Sequence, residues 1–109
     1  METEKLLQER GATHGDFGVN AAISQGIKDT LRCGPQWQSL TPAQREAIDV
    51  IAAKLARIVT GDYNCLDHYR DIIGYGQLAM EATARLKAAT DIKTTKIKVN
   101  SFSLVADEK

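Results

Sequence analysis

The sequence carries no excess of charge: 14 Lys and Arg stand against 14 Asp and Glu in 109 residues. A general nucleic-acid binder usually shows a basic surplus, so the balance argues against that class. It leaves room for a small phosphorylated ligand held by a few local cations. Long apolar runs are also missing. No stretch is apolar enough to span a membrane, and the opening METEKLLQER lacks the apolar centre of a signal peptide. The expectation is a cytoplasmic protein with no membrane partner. Cysteine is scarce, with only Cys33 and Cys65. In a cytosolic protein these thiols are expected to be reduced and structural. With His14 and His68 they match no familiar zinc-ligand spacing such as C-x2-C. A P-loop, a dinucleotide fingerprint and a Ser–His–Asp arrangement are absent too.

What the sequence does have is helical periodicity. Thr3 to Arg10 reads as a short helix capped by Thr3 and stopped at Gly11. Asp16 is placed to cap a second helix over Phe17 to Arg32. There Val19, Ala22, Ile23, Ile27 and Leu31 share a face, while Asn20, Gln25 and Lys28 stay polar. Gly26 weakens this helix and suggests close packing against a neighbour. Cys33-Gly34-Pro35 ends it. Trp37 follows in a linker, either as an aromatic plug or as a stacking surface for a base.

Thr41 caps a third helix, with Pro42 at the first helical position and Gln44 completing a capping box. Ile48, Ile51, Ala52, Leu55, Ile58 and Val59 form its apolar face. Glu46, Asp49, Ala53 and Arg57 lie opposite, with Lys54 at the margin. Gly61-Asp62 breaks it. A fourth helix starts at Asn64 or Leu66, with Ile72, Ile73, Ala79, Met80 and Thr83 on a broad apolar face. Gly74 and Gly76 in its middle cost about 1 kcal/mol each relative to Ala. Close helix contact or room for a ligand would compensate.

The fold expectation is therefore all-α, one helical domain over residues 1–91, with a tail or arm over 92–109. The tail, TTKIKVNSFSLV at its centre, reads as a short strand, a swapped arm or an irregular segment. A chain of this size hides only about two thirds of its unfolded surface. Two long helices with short partners leave apolar surface over, so a homo-oligomer is expected to complete the bundle.

Two carboxylate pairs carry the candidate chemistry. Glu46 and Asp49 are three apart on one helix; Asp67 and Asp71 are four apart on the next, and each pair leaves one side. Antiparallel packing across Gly61 brings the pairs to one hollow. Four acids there would want a hard divalent cation such as Mg2+, which bridges to a triphosphate and activates water. Lys54 and Arg57 then meet the remaining phosphate charge. The plain alternative is a solvated acidic face, with Asp49 paired to Lys54 or Arg45, and Asp67 to Arg70 or Arg57. His14 and Asp16, in the loop GATHGDF, form a weaker constellation that contacts phosphate or only bonds locally. His68 is expected near the surface. The candidate ligand-binding set is Lys54, Arg57, His14, Asp16, Lys28 and Tyr75. The metal set is Glu46, Asp49, Asp67 and Asp71, with Glu46 and Asp49 also the catalytic candidates.

The strings ERGATHGDF, NAAISQGIK, QREAIDVIAAKLARIVTGD and DHYRDIIGYGQLAMEA, over about Glu9 to Ala82, resemble a small phage-borne family without an assigned activity. That family in turn distantly resembles the MazG-like all-α nucleoside triphosphate pyrophosphohydrolases. The resemblance implies a MazG-like bundle of about four helices, a dimer or tetramer. It also implies Mg2+-dependent cleavage of (d)NTPs to a monophosphate and pyrophosphate in the cytoplasm of an infected or lysogenic host. The enzymes' hallmark is ExxE on one helix and ExxD on the next. Glu46-x-x-Asp49 departs from it by one Glu-to-Asp change. Asp67-x-x-x-Asp71 is one residue longer and begins with Asp. Three functions follow: a nucleotide pyrophosphohydrolase, a non-catalytic protein that sequesters nucleotides, including those of antiviral defence, and an adaptor for a host factor.

Overall fold

The computed structural model describes residues 2–101, with side chains placed through Ile92. It is all-α, and no strand occurs among the described residues. The elements are α1 (Glu2–His14), α2 (Phe17–Arg32), a 3-10 turn (Trp37–Ser39), α3 (Pro42–Thr60) and α4 (Leu66–Ser101).

Local signals account for most of the boundaries. The Asp16 side chain accepts from the Val19 N–H at the start of α2. At α3 the capping box is complete: Gln44 N–H donates to Thr41 Oγ1, and Thr41 N–H donates to Gln44 Oε1. Gln44 also reaches across to α4, its amide donating to Thr83 Oγ1 at 2.8 Å. That bond fixes the register of the α3–α4 hairpin at one end. Lys54 and Asp71 fix it nearer the turn, at 2.6 Å.

The core is thin. Among the described residues, the buried apolar ones are Ala47, Ala52 and Ala56, all on α3. Small side chains let neighbouring helices approach α3 closely, but they bury little apolar area. Larger apolar groups are left outside, among them Phe17 at 85 %, Val59 at 70 % and Ile73 at 69 % exposure. Trp37 is half-buried and flanked by two guanidiniums, Arg32 and Arg45, each just under 6 Å from its ring centre. It lies in the connection between α2 and α3.

Four expectations are corrected. Gly11 does not end α1, which continues to His14; the stop is Gly15, at φ +83°. Only a glycine takes that left-handed conformation cheaply, which suits a helix end. Gly26 packs against nothing, since a Cβ there would meet open space. His68 is buried, 2 % exposed, and not at the surface. The chain beyond Asp91 is helical as far as Ser101, not strand. No Gly or Pro occurs after Gly76 to interrupt it. The remaining part of the expected tail, 102–109, lies outside the described residues.

The two chain reversals interlock. The Asp62 N–H donates to Thr13 O at 2.9 Å. A Cβ on Gly15 would run into Thr60, and one on Gly61 into the backbone of Thr13, His14 and Gly15. Asn20 closes the other side, its amide donating to His14 O at 2.9 Å. These backbones meet because both positions lack side chains.

Candidate functional site

The polar stripe of α3 becomes the floor of a groove. Glu46, Asp49, Val50, Ala53, Lys54 and Arg57 stand at positions i, i+3, i+4, i+7, i+8 and i+11, so they share a face. With Lys28 of α2 and Asp71 and Tyr75 of α4 they line a cavity of about 510 Å3. Of the candidate site residues, Glu46, Asp49, Asp71, Lys28, Lys54, Arg57 and Tyr75 line this one cavity.

One ion pair lies within it. Lys54 Nζ lies 2.6 Å from Asp71 Oδ2. That hydrogen bond, chiefly, holds the Asp71 carboxyl below the usual carboxylate value; partial burial opposes it, and the charge of Lys54, with His68 and Arg57, adds to it. Asp49 is met from α2 by Arg32, at 3.4 Å, rather than by Lys54 or Arg45.

Asp67 does not join them. Its side chain is 78 % exposed and bound to Arg70 one turn on, at 2.9 Å. It lines neither cavity described here. Asp67 sits on the first turn of α4, nearer the chain reversal than the groove, and a step of four residues also rotates it about 40° from Asp71. The expectation of four carboxylates in one hollow is therefore corrected to three. Two of these three carboxylates are met by cations, Asp71 by Lys54 and Asp49 by Arg32. Among the described residues, no three His, Cys, Asp or Glu side chains are grouped so as to hold a metal. Cys33 and Cys65 are free thiols.

His14 and Asp16 belong to a second cavity, of about 800 Å3, at the α1–α2 junction. Leu7, Arg10, Gly11, Gly15, Phe17, Asn20 and Arg57 complete its lining. The His14 ring lies 5.3 Å from that of His68, centre to centre. His68 Nε2 is 3.3 Å from Thr13 O, the geometry of an N–H donating to a carbonyl. Burial first, and then the positive fields of Arg57, His68, Lys54 and Arg10, push the His14 imidazole below its ordinary value. Arg57 lines both cavities and stands in the wall between them.

Sequence reasoning missed Arg10, Phe17 and Asn20 as lining residues, and His68 as a buried support. One signal was present for Arg10. Once α1 runs through Gly11, Arg10 and His14 are four apart on one helix and share a face.

No protein-family model matches this chain, and neither curated proteins nor solved structures match it.

Proposed function

We propose that this protein binds a nucleotide, or a similar small phosphorylated ligand, in the groove along α3. One observation carries the reading: Lys28, Lys54 and Arg57 share that groove with Glu46, Asp49 and Asp71. A lining with both donors and acceptors suits a ligand that is anionic at one end and rich in polar edges elsewhere. A bare anion would not need the carboxylates. Tyr75 adds an aromatic ring for the uncharged part of such a ligand. Calorimetry over a panel of nucleoside mono-, di- and triphosphates tests the reading, with saturable binding expected for at least one member. The bound compound should be returned unchanged after denaturation. A panel without heat rejects it.

A second reading is Mg2+-dependent pyrophosphohydrolysis, in a phage-derived relative of the MazG-like enzymes. It is favoured by Glu46, Asp49 and Asp71 lining one groove. Incubation with (d)NTPs and Mg2+ separates the two readings. Pyrophosphate release that is lost in Glu46→Ala supports hydrolysis, and its absence alongside binding supports sequestration. Both readings include self-association. Exposed Val59, Leu66, Ile73 and Met80 are large apolar groups that a second copy would cover. Light scattering that returns a monomer at micromolar concentration refutes that part.

A further inference from the structure

We infer that the cavity at the α1–α2 junction is a site for a phosphoryl anion, formed by Arg10, His14 and Arg57. In this placement it takes the phosphate end of the ligand whose remainder lies in the α3 groove. The orientation rests on the groove reading above; the anion site itself does not.

Charge separates the two cavities. In the groove three carboxylates face three cations, and Lys54 is committed to Asp71. At the junction two guanidiniums, Arg10 and Arg57, face one carboxylate, Asp16. That carboxylate is already occupied as the cap of α2, accepting from Val19 N–H at 3.1 Å. Neither Arg10 nor Arg57 forms an ion pair among the described residues. Two guanidinium forks and an imidazole at one cavity are the donor set that phosphate oxygens accept from.

Backbone electrostatics add to the same field. The 16-residue α2 opens at this cavity, where Asp16 and Phe17 line the wall. A helix start carries partial positive charge. His14 is pressed toward its neutral form first by burial and then by the cations around it. An anion seated among Arg10, His14 and Arg57 offsets the cationic part of that pressure and favours the protonated imidazole. Because Arg57 lines both spaces, one molecule can present phosphate to the junction and its other end to Lys28 and Tyr75. A nucleoside di- or triphosphate has that division of chemistry.

Inorganic pyrophosphate is the probe for the anion site alone, and a nucleoside triphosphate is the probe for the joint site. Calorimetry gives both affinities, and proton NMR follows the two histidine rings. Pyrophosphate should raise the midpoint of the His14 titration. Arg10→Ala, on the exposed face of α1, should weaken both ligands by about tenfold, a typical loss for one charge-assisted contact. Arg70→Ala, an equal loss of charge outside both cavities, should leave pyrophosphate affinity unchanged. Absence of pyrophosphate binding, an unmoved His14 at saturation, or full affinity in Arg10→Ala overturns the site. Nucleotide binding that survives Arg10→Ala overturns the placement and leaves the groove reading standing. Arg10-dependent pyrophosphate binding without any nucleotide binding does the opposite.

Discussion

The glycines divide this molecule into two regions that the same residue type serves differently. At the chain reversals, Gly15 and Gly61 are places where two backbones touch, and any side chain would collide with Thr60 or with the Thr13–Gly15 strand of backbone. Along the helices, Gly11, Gly26, Gly74 and Gly76 face open space. The first region is held by absence of bulk. The second tolerates glycine at a cost, with no contact among the described residues to offset it. The His14–His68 pair sits in the first region, and Arg57 reaches it from the last turn of α3. Precision in the proposed anion site therefore depends on the reversals rather than on helix packing.

Substitutions at the reversals are the strongest way to break this contrast. Gly15→Ala combines a left-handed backbone with a collision against Thr60, and should cost on the order of 3 kcal/mol. Gly61→Ala should cost a similar amount. Denaturant melts measure both, and a loss under about 0.5 kcal/mol in either would show that the interlock is not tight. Next in size is Ala56→Leu. Ala56 is fully buried, and an added isobutyl group should destabilise by about 1–3 kcal/mol through overpacking. Smaller, and opposite in sign, is Gly74→Ala in mid-α4, which should stabilise by about 0.5–1 kcal/mol because no neighbour stands in the way. Destabilisation there would mean that another chain packs on that face.

The smallest effect concerns pH. His14 has a folded-state value below 6.5, so the unfolded chain binds more protons as pH falls through that region. Stability should be full above about pH 6.5 and step downward below it. Asp71, also lowered, holds its contribution above 3.8 and loses it as pH falls further. Urea melts from pH 8 to 3 should show both steps. The upper one should vanish in His14→Gln, and an unchanged upper step would reassign it.

Much of α3 was legible before any coordinates. Thr41, Pro42 and Gln44 announce its start through local backbone chemistry, and the stripe from Glu46 to Arg57 follows from helical geometry. The split between groove and junction was not legible. It depends on where α1 ends, and a glycine looks the same in a helix interior as at a stop. The burial of His68 was hidden for a related reason, since its partner Thr13 is 55 residues away. Asp67 and Asp71 looked equivalent because spacing along a helix says nothing about where the neighbouring helix finishes.

The unequal lengths of α3 and α4, 19 and 36 residues, have one more consequence. Thr83 is already opposite the first turn of α3, through Gln44, and residues 84–92 beyond it are all exposed. The helix thus contains a supported stretch up to Thr83 and, over residues 84–92, an overhanging one. Amide hydrogen exchange along α4 should fall into two rates that divide near Thr83, slow around buried His68 and fast toward Ile92. Uniform slow exchange over the whole span would instead reveal a partner lying along the overhang.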